Sequence, residues 1–168
     1  KNTNNMENIT KKQNLLIAFI LIAVCFRLIP HPPNFTPVTS LALFSGIMFQ
    51  RKWLSILVPI IAMLLSDMVL GFGMISMWVY AAFMLVTISG WFLKQMNVKS
   101  ILVSSMVFFI VSNFGVWVLG YPHTFDGLML CYTMAIPFFG YSIIGDLCWG
   151  LLIKESYKFI ENKVLKFT

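Results

Sequence analysis

Residues 53–71 read WLSILVPIIAMLLSDMVLG, an apolar run marked only by Pro59 near its entrance and Asp67 near its far end. As a helix, a run of this length crosses the roughly 30 Å hydrocarbon core of a bilayer. It lacks the polar–apolar alternation of a transmembrane barrel strand. Similar runs occupy residues 14–30, 36–50, 74–93, 101–120 and 128–153. The run at 36–50 is short for a full span and is expected to tilt or to be partly buried by its neighbours. The last run is expected to be interrupted at Pro137. The pattern predicts an all-α integral membrane bundle of six transmembrane helices.

Composition agrees. Of 168 residues, 59% are hydrophobic and 11% charged, against roughly 25% charged in soluble domains. The mean hydropathy is +0.85. A soluble domain, a disordered chain and a disulfide scaffold are excluded, and the lipid bilayer is the expected surrounding. Cys25, Cys131 and Cys148 lie in apolar runs at no metal-like spacing. No GxxxxGK[ST] loop is present, and the net charge of +6 reads as topology, with no nucleic-acid partner. Residues 1–13 read as a polar tail, 14–155 as the membrane domain and 156–168 as a basic tail. Lys11 and Lys12 precede the first run as in a signal peptide. No small-x-small cleavage site follows, so an uncleaved first helix is expected.

Orientation tests the helix count. Six spans put both termini and the connections after the second and fourth helices on one side. That side collects Lys1, Lys11, Lys12, Arg51, Lys52, Lys94, Lys99, Lys154, Lys158, Lys163 and Lys166, and leaves Arg27 alone on the other. Lys and Arg are retained in the cytoplasm, so both termini are expected there, in a bacterial cytoplasmic (inner) membrane.

The opposite side has three short connections rich in Pro and Gly, at residues 30–36, 71–73 and 120–127, and these hold His31 and His123. Aromatic residues gather there: Phe35, Trp78, Tyr80, Trp117, Tyr121, Phe125 and Tyr132. Arg27, Asp67 and Asn113 are polar groups inside spans near the same side. Ionisable groups in a membrane face the bundle interior and pair. Arg27 and Asp67 are therefore expected to pair, either as a clamp between two helices or at the mouth of an outward-facing cavity. Asp146 lies far along the last span and is expected to pair with Arg51, Lys52 or Lys154 near the basic side. The two histidines are open to three readings: loop anchors, substrate contacts or, with Asp126, metal contacts. No HxxxH or HExxH spacing supports a metal, and none is assigned. The candidate substrate-binding set is Arg27, His31, Asn34, Asp67, Trp78, Tyr80, Asn113, Trp117, Tyr121, His123 and Tyr132. An aromatic pocket with few polar groups suits a flat organic molecule better than a bare ion.

No nucleophile elbow, HExxH or paired catalytic carboxylates occur, so an enzyme is not expected and no cofactor is assigned. No filter-like loop or inverted repeat marks a channel or a free-standing secondary transporter.

The strings RLIPHPPNFTPV (27–38), ALFSG (42–46), LLSDMVLG (64–71), SNFGVW (112–117), YPHTFDGLMLCY (121–132) and AIPFF (135–139) resemble a family of small bacterial six-helix membrane proteins. Those proteins are similar to the substrate-binding S components of energy-coupling factor vitamin transporters. The resemblance implies a membrane-embedded binding protein for a vitamin or related micronutrient. It further implies a pocket near the outer surface and a separate ATP-driven coupling module as partner. The solitary cobalamin transporters of this type, which act without a dedicated module, make cobalamin one implied substrate; Cys131 does not match their cobalt-ligating cysteine. S components dock through small residues four apart in the first helix. Here the nearest such pair is Ala42 and Gly46, in the second, open to a docking or a helix-packing role. The competing expectation is a non-transport membrane subunit or assembly partner of a larger complex.

Overall fold

The computed structural model describes residues 2–32 and 34–162, with the backbone alone for residues 2–13 and Leu16. It contains six helices: α1 (Asn2–Leu28), α2 (Val38–Met48), α3 (Lys52–Leu70), α4 (Ser76–Leu93), α5 (Val98–Gly120) and α6 (Phe125–Ile160). Among the described residues, α3, α4, α5 and α6 are long and apolar enough to cross a membrane. α2 is shorter, and in α1, 27 residues in all, the apolar residues occupy the second half of the helix. At 1.5 Å per residue α2 reaches about 16 Å, little more than half a hydrocarbon core. All six expected helices are present, and α2 is short, as the run at 36–50 is expected to be.

The shortest helix is the hub. α2 touches every other helix, and its residues 38–46 are all buried. Pro37, fully buried, opens it, and the Pro37 carbonyl accepts from the Leu41 amide at 2.8 Å. A proline at a helix start gives up an amide that would have had no partner there. Against α4, the backbones meet at Gly46 and Gly90. A Cβ on Gly46 would strike the Thr87 carbonyl, and one on Gly90 would lie 2.8 Å from the Leu43 carbonyl. Ala42 is also fully buried. The Ala42–Gly46 pair is therefore an internal packing seam and offers no surface for docking.

Pro59 sits fully buried inside α3. It has no amide to give to the Ser55 carbonyl one turn back, which would be left open. The Ser45 hydroxyl of α2 donates to that carbonyl at 2.9 Å, while Trp91 of α4 donates to the Ser55 hydroxyl at 3.1 Å. The proline's defect is thus repaired from the neighbouring helix, as membrane helices require.

The expected break at Pro137 is absent. α6 runs unbroken through it for 36 residues, so part of the expected basic tail, from residue 156 to Ile160, is helical. The Asn2–Leu28 helix likewise includes most of the expected polar tail. Residues 163–168 lie outside the described residues. α5 is capped by Asn97, whose side chain accepts from the Ser100 amide at 3.0 Å, and α6 by Thr124, which accepts from Gly127 at 3.1 Å.

Basic residues collect at one end of the bundle. Arg51 and Lys52 open α3, and Lys52 lies 4.8 Å above the Trp91 ring. A groove lined by Met48, Lys94, Asn97, Lys154 and Lys158 brings the end of α2, the α4–α5 connection and the end of α6 together. Lys1, Lys11, Lys12, Lys163 and Lys166 lie outside the described side chains.

Candidate functional site

The α1–α2 connection is recessed between the longer helices, beside the middle of α6. Phe35 packs against Gly145 with 3.1 Å between them and a hypothetical Cβ there. That point is about 30 Å along α6 from Phe125 at 1.5 Å per residue. Two adjoining cavities lie around this recessed loop and share Asn34, Val79 and Phe108. Asn34 adopts a left-handed conformation (φ 62°), which asparagine tolerates better than most residues.

The smaller chamber, about 190 Å³, is lined on its polar side by Arg27, His31, Asn34, Thr36 and Thr39. The larger, about 270 Å³, lies among α4, α5 and α6 and is mainly apolar, walled by Phe108, Phe109, Phe138, Phe139 and Val116. Phe109 and Phe139 stack with ring centroids 4.4 Å apart.

Their polar groups differ in how they are satisfied. In the larger chamber Ser112, Asn113 and Ser142 each donate to the carbonyl four residues back, at 2.7, 2.8 and 3.1 Å. In the smaller chamber the side chains of Asn34 and Thr36 make no hydrogen bond among the described residues. His31 donates through Nδ1 to the Ile29 carbonyl at 2.6 Å, which leaves Nε2 open. Arg27 directs all its described hydrogen bonds through Nη1: to Asp67 Oδ1 at 2.8 Å, to the Ser66 hydroxyl and to the Met63 sulfur at 3.0 Å.

Arg27 and Asp67 therefore pair, through one nitrogen and one oxygen. The other carboxylate oxygen, Oδ2, accepts from the Tyr80 hydroxyl at 2.8 Å. This cluster ties α1, α3 and α4 together, with the Asp67 side chain 4% exposed and that of Arg27 19%. Arg27 also forms part of the chamber wall, so clamp and cavity wall coincide in one residue.

The remaining candidates are placed elsewhere. Trp78 packs over Gly115 and against Phe114 at 5.4 Å. Trp117 donates to the Pro122 carbonyl at 3.0 Å, and the His123 Nε2–H to the Val118 carbonyl at 2.9 Å. These two rings, 5.4 Å apart, fasten the α5–α6 connection. The Tyr121 amide closes α5 on the Trp117 carbonyl at 3.2 Å. Tyr132 donates to the Ile110 carbonyl at 2.7 Å. None of these five lines either chamber. The sequence reading did not single out Thr36, Thr39 or the phenylalanine wall. The two threonines stand one helical turn apart at the entry to α2, a visible signal; nothing separates Phe108, Phe109, Phe138 and Phe139 from the chain's other 12 phenylalanines, out of 16.

Asp146 meets no Lys or Arg among the described residues; it faces Ser105, seven residues into α5. It is 1% exposed. Its Oδ2 accepts from the Ser105 hydroxyl at 2.7 Å, Ser40 donates to its backbone carbonyl at 2.9 Å, and Oδ1 has no partner. Thr39 lies beside this carboxyl group and lines the smaller chamber above it. Cys131 is buried, its thiol 3.5 Å from the Asn113 carbonyl, and is outside both chamber linings. Among the described residues no three His, Cys, Asp or Glu side chains come together as a metal set.

Comparison with curated proteins and with solved structures returns no match. A model of a family of unknown function, DUF6580, matches residues 7–167. The chain, a helical bundle with membrane-spanning character, belongs to that family.

Proposed function

We propose that the protein is a membrane-embedded binding protein for uptake of a vitamin or related organic micronutrient. It sits in the bacterial cytoplasmic membrane with the basic end and both termini in the cytoplasm. Its six helices are all membrane-embedded, the α1–α2 pair rising from the basic side. Ligand enters from the opposite side, and a separate ATP-driven module supplies the energy or the protein acts alone. The observation that carries this reading is the pair of adjoining chambers around the recessed α1–α2 connection. One has the Asn34 and Thr36 side chains without hydrogen-bond partners among the described residues, and the other has aromatic walls. Small-molecule sites combine an apolar lining with a few convergent polar groups in this way. The chamber volumes favour a compact one- or two-ring compound over cobalamin, whose corrin exceeds them. A coupling module would dock on a surface other than the Ala42–Gly46 seam.

The test is thermal stabilisation of the purified protein by a panel including thiamin, riboflavin, biotin and cobalamins. Stabilisation by one member is expected. Asn113→Ala should weaken that effect more than it lowers basal stability, while Trp117→Ala, outside the lining, should do the reverse. A silent panel, with stable co-purification of another membrane protein, would instead favour a non-transport subunit.

A further inference from the structure

The smaller chamber is built for one end of a ligand. Arg27 brings a permanent positive charge to its wall, and the Asp67 partnership occupies only Nη1. Nε and Nη2 make no hydrogen bond among the described residues, so donors of the guanidinium fork remain free. Both oxygens of Asp67 are taken, by Arg27 and Tyr80. Asp146 is outside the chamber lining, and no Asp or Glu is part of it. The free Asn34 amide and Thr36 hydroxyl add further donors on the facing loop. A guanidinium edge with open donors matches the two oxygens of a carboxylate better than any neutral or cationic group. The adjoining larger chamber offers Phe108 and the stacked Phe109–Phe139 pair, surfaces for a planar ring.

We infer that the ligand is an aromatic carboxylate. Its acid group is seated on the free edge of Arg27 beside Asn34 and Thr36, and its ring lies in the phenylalanine-walled chamber. This rests on the uptake reading above and narrows it to one chemical class. Arg27 then has two duties: Nη1 holds α1 to α3, and the rest of the guanidinium reads the ligand's charge.

The experiment uses the full chain in lipid nanodiscs and four probes: 2-naphthoate, 2-naphthamide, 2-naphthylmethylammonium and decanoate. Binding is read by tryptophan fluorescence and by the shift in unfolding temperature. The expected result is 2-naphthoate binding about tenfold more tightly than 2-naphthamide, the margin between charged and neutral hydrogen-bond partners. The ammonium probe should bind most weakly and decanoate more weakly than 2-naphthoate. Arg27→Lys keeps a cation for Asp67 and removes the fork, and should bring 2-naphthoate down to the affinity of the amide. Asn34→Asp leaves the Arg27–Asp67 clamp intact and adds a negative charge to the chamber, so it should abolish the preference for the acid even if the Arg27 variant does not fold. Equal or tighter binding of the amide or ammonium probe overturns the assignment of an acid, and the cavity reading stands. Decanoate binding as tightly as 2-naphthoate overturns the aromatic part and points to a fatty acid. Failure of all four probes overturns the inference; the vitamin panel then decides whether the uptake reading falls with it.

Discussion

Asp67 and Asp146 are both carboxylates buried among apolar helices, yet their surroundings have opposite logic. Asp67 has an ion on one oxygen and a phenol on the other, with Ser66 beside Arg27. Asp146 has one serine hydroxyl on one oxygen and nothing on the other. An ionised carboxylate needs a counter-charge or several donors to stay charged in an apolar surrounding. The first site supplies both and the second supplies neither. One is therefore a charged joint between α1, α3 and α4. The other is a polar knot of neutral hydroxyls where α2, α5 and α6 meet.

The largest effect should come from stranding the charge in the first site. Asp67→Ala leaves the partly buried Arg27 without its counter-ion and should lower stability by about 3 kcal/mol, read from denaturant unfolding in detergent. The double replacement Arg27→Met with Asp67→Leu should recover most of that loss. If the single variant is as stable as the parent, the contrast between the two sites collapses. Tyr80→Phe comes next: it removes one hydrogen bond to a charged acceptor and should lower stability by about 1.5–3 kcal/mol. A loss of that size that persists when Asp67 is already alanine would place the tyrosine's contribution in packing, away from the carboxylate. The smallest effect is expected at the second site. Asp146→Asn keeps an acceptor for Ser105 and loses no ion pair, so the change should stay within about 1 kcal/mol. A loss as large as that of Asp67→Ala would mean that Asp146 is charged and has a counter-ion after all.

The difference between these two aspartates also marks how far the sequence could be read. Arg27 and Asp67 were expected to meet because two opposite charges in neighbouring apolar runs have few other options. The same rule failed for Asp146. Depth along α6 says nothing about which way a side chain faces, and Asp146 turns inward to Ser105 and away from the lysines beyond it. Within the 36-residue α6 the recessed Phe35 loop sits at the level of Gly145, so Asp146 is covered by neighbouring backbone. Depth is a property of the assembled bundle, set by which helix stops short. The brevity of 36–50 was visible, and α2 proved short and buried. The loop histidines illustrate a second limit. His31 and His123 looked equivalent in the sequence, both beside prolines, but only His31 lies on the recessed connection that borders a chamber. Trp117 and His123 bond to the carbonyls of their own hairpin, a contact of five residues' separation that composition does not reveal.

The repaired carbonyl beneath Pro59 bears on how the chain enters a membrane. α3 released alone into lipid would carry the Ser55 carbonyl with no amide to meet it, an expense that hydrocarbon does not offset. α2 alone, about 16 Å long, would be too short to hold itself across. The Ser45 hydroxyl that answers the Ser55 carbonyl lies on the very helix that needs a longer neighbour. On the proposed reading that all six helices are membrane-embedded, the bond between them gives α2 and α3 reason to leave the translocation machinery together.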